Sequence, residues 1–184
     1  GMSFRLTMEQ TTKNKKSNVI LALDFPFEKP ETREKLFSKA EHTLEAVHPY
    51  ICAVKFNRHL ILPLGLFNGV QKLIEKIHDI GLMAIMDCKV NDIGSTNQTI
   101  AEYYYSAGFD ALTANPFVGW EEGLKPVFGV AHRLQRGVIV FCDCLVCRAY
   151  VVYLTVHYRQ QFQVMDFFNK FLNGVKCVKG KNEV

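Results

Sequence analysis

Five short, continuously apolar runs separated by helix-periodic segments constrain this chain more than any other feature. They are Val19-Ile20-Leu21-Ala22-Leu23-Asp24, residues 51–54 before Lys55, residues 82–86, Ala111-Leu112-Thr113-Ala114 and Val138-Ile139-Val140-Phe141. Uninterrupted apolarity, rather than alternation, marks a strand covered on both faces. Between the runs, Leu36, Phe37, Ala40, Leu44 and Val47 make one apolar helical face, and Leu66, Phe67, Val70, Leu73, Ile74 and Ile77 make another. Ile100, Tyr103, Tyr104 and Ala107 mark a third helix, and Leu124, Val127, Phe128 and Ala131 a shorter fourth. Pro30 and Pro126 suit first helical turns, while Gly81 and Gly108 suit helix ends.

Strands alternating with helices at about 30 residues per unit imply a parallel sheet with right-handed crossovers. A (β/α)8 barrel of the TIM type and an open doubly wound sheet both satisfy that pattern. No Gly-x-Gly-x-x-Gly follows the first strand, which weakens the dinucleotide-binding form of the open sheet. Asp24, Lys55, Asp87 and Lys89 all fall at the C-terminal ends of successive strands, and in a barrel those ends converge on one mouth. The expected fold is therefore α/β, of the (β/α)8 TIM-barrel type. It is incomplete or atypically completed after the fifth strand, because only a strand-like run at 150–156 and a helix at 162–172 follow.

The expected organisation has three parts: a flexible basic arm over 1–17, βα units over 18–141, and a divergent Cys-rich, basic segment over 142–184 that is not a separate domain. The net charge of +4 sits mainly in the two flanks, so a nucleic-acid footprint on the body is not indicated. No apolar run is long enough to span a membrane. Without a charged-then-apolar leader, a cytoplasmic protein with free thiols is expected. Of the six cysteines, Cys52 and Cys88 lie in apolar strands and read as core. Cys142, Cys144, Cys147 and Cys177 lack a zinc-ribbon spacing, and no metal site is assigned.

The richest chemistry lies in Met86-Asp87-Cys88-Lys89-Val90-Asn91-Asp92-Ile93-Gly94-Ser95-Thr96. Asp87 and Lys89 are two apart and point the same way on an extended strand. Asp92 follows at the turn, and Ser95-Thr96-Asn97-Gln98 reads as a capping box. Charges bunched at the end of a buried strand either pair structurally or do chemistry, and these residues alone leave both open. Thr113 and Asn115 are candidate site-lining residues, with a turn role for Asn115-Pro116 equally open. Trp120 reads as packing. In Tyr103-Tyr104-Tyr105 at least one ring is core.

Taken with Leu21-Ala22-Leu23-Asp24, Val54-Lys55-Phe56-Asn57 and Asp110-Ala111-Leu112-Thr113-Ala114-Asn115-Pro116-Phe117-Val118-Gly119, this segment resembles the orotidine 5′-phosphate decarboxylases over residues 18–141. The resemblance implies decarboxylation of orotidine 5′-phosphate to UMP in pyrimidine biosynthesis, without metal or organic cofactor. Lys55, Asp87, Lys89 and Asp92 match the family's Lys-Asp-Lys-Asp tetrad. By that resemblance Asp24 and Lys55 hold the ribose, Asp87 faces the substrate carboxylate, and Lys89 protonates C6. Asp92 and Thr96 reach into the partner's site across a homodimer. Beyond Phe141 the family's phosphate-binding part has no match, so an impaired enzyme is expected. The alternatives are a non-catalytic truncated relative that dimerises and binds nucleotide weakly, and a Mg2+-using sugar-phosphate sibling. Neither nucleic acid nor membrane is an expected partner.

Overall fold

The computed structural model describes residues 3–26, 32–141 and 151–154, the last four and Phe141 by their backbone. The expected units are present in order. Strand β1 (Ile20–Ala22) leads to helix α2 (Arg33–Val47), then β2 (Ala53–Phe56), α3 (Arg58–Leu64), α4 (Gln71–Asp79) and β3 (Met83–Val90). Helix α5 (Gly94–Ser106), β4 (Ala111–Ala114), α6 (Lys125–Arg133), β5 (Gly137–Phe141) and β6 (Val151–Leu154) follow. The sheet order is β1-β2-β3-β4-β5-β6; the first five strands are parallel and β6 runs antiparallel to β5. Five parallel units in chain order make part of a TIM-type barrel, and among the described residues the sheet stays open, with antiparallel β6 beside β5.

Period-2 alternation sorts the strand residues onto two faces. Val54, Phe56, Ala84, Met86, Cys88, Val90, Leu112, Ala114, Val138 and Val140 join the main core, packed against helix residues such as Ala40, Leu73, Ile77, Ala101 and Val127. The other face carries Ala53, Met83, Ile85, Ala111 and Ile139, which form a second cluster with Phe4 and Met8. Ordinary helix chemistry frames the layers: Thr32 caps α2 by accepting from the Lys35 N–H at 3.2 Å, and Asn57 caps α3 by accepting from His59 N–H at 3.2 Å. A π-helical turn (Gly65–Val70) joins α3 to α4, so the apolar face expected as one helix is divided there.

The basic segment expected as a flexible arm is instead helix α1 (Phe4–Lys15). Phe4, Met8 and Thr11 repeat at helical spacing and bury one stripe against the N-terminal ends of the strands, leaving the lysines outside. Lys15 Nζ also donates to the Ile80 carbonyl at 2.6 Å. Gly137 permits this seating, since a Cβ there would lie 2.2 Å from Phe4 Cδ1. Pro30, the cysteine cluster at 142–147 with Cys177, and the 162–172 helix lie outside the described residues. Among those that are described, no helix is long and apolar enough to cross a membrane.

Candidate active site

Along β3, Asp87 continues the strand face that carries Met83 and Ile85, and Lys89 follows at its exposed end. Its pairing with β4 shifts there: Met86 faces Leu112 and Val90 faces Ala114, so Asp87, Cys88 and Lys89 lie opposite Thr113 alone. The surplus is absorbed by a bulge in which Lys89 adopts a left-handed backbone, φ 49°. A side chain bearing a Cβ is disfavoured there, and such residues concentrate at functional sites. The simple extended strand expected from spacing is thus kinked, yet Asp87 and Lys89 still share a face.

On that face the charges alternate. Lys55 Nζ, from the end of β2, lies 3.3 Å from Asp24 Oδ2 and 2.9 Å from Asp87 Oδ2. Lys89 Nζ lies 2.8 Å from Asp87 Oδ1. Asp87 is 7% exposed, whereas the Lys89 side chain is 51% exposed, so the anion is sunk between two cations of which one faces outward. Burial alone would raise the Asp87 pKa. Hydrogen bonds from Lys89, Lys55 and Thr113 outweigh it and hold the carboxyl below its ordinary value. For Lys55 burial would lower the pKa, and Asp87 with Asp24 overcomes it in the other direction, keeping the ammonium charged. Burial pushes the neighbouring Cys88 thiol up to about 12, so it remains protonated.

The other expected site residues divide. Thr113 is 4% exposed; its hydroxyl accepts from the Lys89 N–H and donates to Asp87 Oδ1, both at 2.9 Å. Asn115 accepts from the Phe117 N–H at 3.0 Å, the turn role left open by the sequence. Asp92 is exposed in the loop after β3 and forms no ion pair with the Asp24–Lys55–Asp87–Lys89 cluster of its own chain. Thr96 is half-buried on the first turn of α5. The expected capping box is not used: Ile93 is the N-cap residue and supplies no side-chain bond. Buried Asn97 orders the loop instead, bonding Asp92 at both backbone ends and the Gly123 carbonyl. Arg58, missed in the sequence, donates from Nη2 to the Cys88 carbonyl at 3.1 Å. Its position directly after the Asn57 cap, three residues beyond Lys55, was the available signal.

Charged side chains gathered at the C-terminal ends of parallel βα strands define a site of the barrel-enzyme type. Residues 17–144 match the family model described as "Orotidine 5'-phosphate decarboxylase / HUMPS family", and the chain belongs to that family. The orotidine 5′-phosphate decarboxylase of Thermomicrobium roseum is 32% identical over 147 residues, covering 76% of this chain and 50% of that protein. That of Pyrococcus furiosus is 41% identical over 101 residues, 55% of this chain and 42% of the relative. The chain thus spans about half the length of the curated relatives it matches. Among solved structures, the orotidine 5′-monophosphate decarboxylase of Methanocaldococcus jannaschii complexed with inhibitor BMP matches with a TM-score of 0.53 and 30% identity. The match covers 67% of this chain and 51% of that one. Leishmania donovani OMP decarboxylase shares the fold, with a TM-score of 0.60 at 24% identity over 80% of this chain and 60% of its own.

Proposed function

We propose that this chain decarboxylates orotidine 5′-phosphate to UMP, a carbon–carbon lyase reaction of de novo pyrimidine synthesis carried out in the cytoplasm without a cofactor. The observation that carries the reading is the Asp24–Lys55–Asp87–Lys89 chain of alternating charges at the strand ends, with contacts of 3.3, 2.9 and 2.8 Å. Cleavage of the C6–carboxylate bond releases CO2 and leaves its electron pair on C6. The Lys89 ammonium stabilises that charge and then gives C6 its proton. Asp87, kept ionised by its two lysines, faces the departing carboxylate. Asp24 and Lys55 hold the ribose hydroxyls.

Asp92 and Thr96 serve the site of a second copy in a homodimer. Exposure of Asp92 away from its own cluster supports this, as do the adjacent Ile93 at 67% exposure and the outward Phe67–Tyr103 ring pair. The test is the fall in pyrimidine absorbance on adding orotidine 5′-phosphate, with calorimetry of UMP and of an analogue carrying negative charge near C6. Turnover and tight analogue binding are expected. Neither being seen sinks the proposal. Mixing Lys89→Ala with Asp92→Ala protein should restore activity, because a mixed dimer regains one intact site; no recovery removes the shared-site part.

A second reading has its own observation. The chain spans about half of its relatives, and β6 turns antiparallel where a further parallel strand would extend a barrel. A relative that dimerises and binds the nucleotide weakly without turnover fits those facts. Weak UMP binding with background decarboxylation would select it.

A further inference from the structure

The peptide unit joining Cys88 to Lys89 is gripped at both ends. Its carbonyl oxygen accepts from Arg58 Nη2 at 3.1 Å, and its N–H donates to Thr113 Oγ1 at 2.9 Å. Thr113 donates its only hydroxyl hydrogen bond to Asp87 Oδ1 at 2.9 Å, the oxygen that also lies 2.8 Å from Lys89 Nζ. Two elements that flank β3 therefore meet on one peptide: α3 through Arg58 and β4 through Thr113. That peptide sets the φ of Lys89, the left-handed residue at the centre of the bulge.

We propose that Thr113 and Arg58 are positioning residues for the decarboxylation, locking the Cys88–Lys89 peptide so that the Lys89 ammonium and Asp87 carboxylate keep a fixed mutual geometry. This rests on reading the strand-end cluster as the decarboxylase site. A left-handed lysine is under conformational pressure to relax, and rotation of the preceding peptide is the local route. Rotation would break both grips together, pull the Lys89 N–H from Thr113 and carry the ammonium away from Asp87. Thr113 is suited to the lock rather than to substrate contact. Its hydroxyl has one proton, already committed to Asp87, and it is almost wholly covered. Valine at 113 would keep the shape while removing both the acceptor for Lys89 N–H and the donor to Asp87.

The test compares Thr113→Val, Thr113→Ser and Arg58→Met with the wild-type chain, reading kcat and KM for orotidine 5′-phosphate and hydrogen exchange at the Lys89 amide. Thr113→Val should lower kcat about 10- to 100-fold, the scale of a misplaced reacting group, while KM moves by no more than roughly threefold. Thr113→Ser should restore most of the loss, which a simple packing role would not produce. Arg58→Met should lower kcat in the same sense, and exchange at the Lys89 amide should quicken in both the Val and Met variants. Folded Thr113→Val with wild-type kcat and unchanged Lys89 exchange overturns the proposal, as does failure of serine to rescue. If Thr113→Val does not fold, Arg58→Met decides alone, since Arg58 lies exposed; unaltered exchange there overturns the lock. If the wild-type chain itself shows no turnover, the decarboxylase reading fails separately, and amide exchange in the same variants still tests the lock.

Discussion

Asn97 holds Asp92 by both ends of its backbone. The Asn97 carboxamide oxygen accepts from the Asp92 N–H at 3.0 Å, and its nitrogen donates to the Asp92 carbonyl at 2.6 Å and the Gly123 carbonyl at 3.0 Å. A wholly buried side chain on α5 thereby fixes the loop that presents an exposed carboxylate. Asn97→Ala strips three bonds, one of them to the buried Gly123 carbonyl, a loss of about 1–3 kcal/mol. The melting temperature should fall by roughly 3–10 °C in calorimetry. Decarboxylation should fall further than stability explains, because Asp92 loses its placement. An unchanged melting curve would contradict this account.

Acid and base limits of stability follow from the two perturbed groups. Asp87 titrates below its ordinary value of 3.8 in the fold, so its contribution is present above that value and is lost as pH falls through the lowered one. Lys55 titrates above its ordinary 10.5, so its contribution is complete below that value and is lost as pH rises through the raised one. Between these limits the pair adds no slope. Urea denaturation across pH should show the Asp87 share of the acid limb disappear in Asp87→Asn; an identical acid limb in that variant would refute the assignment.

Lys89→Ala separates chemistry from folding. Its side chain is half exposed, and the substitution leaves the Thr113 and Arg58 grips on the backbone intact. Any turnover should drop by about 10²–10⁴-fold, the usual contribution of a positioned proton donor. The melting temperature should stay within roughly 4 °C of wild type, about 1 kcal/mol. Retained turnover removes Lys89 as the donor.

At the opposite end of the strands, Phe4 and Gly137 should behave as one unit. Phe4→Ala removes a buried ring, a cost of about 3–5 kcal/mol. Gly137→Ala drives a methyl into the space of that ring and should also destabilise. In the double variant the new methyl meets no ring, so the combined loss should be smaller than the two single losses added. Additive losses in urea unfolding would show that Phe4 does not sit over Gly137 in solution.

The repeating units were legible because five uninterrupted apolar runs and the helical faces between them report burial directly, and the strand-end charges stood out against them. Tyr105 and Trp120 also packed as their surroundings suggested, the tyrosine hydroxyl reaching the Gly137 carbonyl at 2.8 Å. Helix α1 was obscured because its stripe is only Phe4, Met8 and Thr11 amid basic and polar neighbours. The bulge was invisible because alternation encodes which face a residue takes, not whether an extra stretch opposes one partner. In sequence Asn97 reads as part of a capping box, since its target, the backbone of Asp92, comes within reach only once the loop has turned. The reversal of β6 left no trace, for a short apolar run reads alike in both directions.

Helix α1 also has a bearing on the charged cluster at the other end of the strands. Phe4 and Met8 close the apolar cluster of Met83, Ile85, Ala111 and Ile139, which lies two residues down β3 from Asp87. Apolar packing on that side leaves the Asp87 carboxylate to be stabilised chiefly by Lys55, Lys89 and Thr113. The plug limits screening from one side only: Asp87 keeps a cation within about 3 Å on each flank, and the exposed Lys89 end stays open to whatever binds over them.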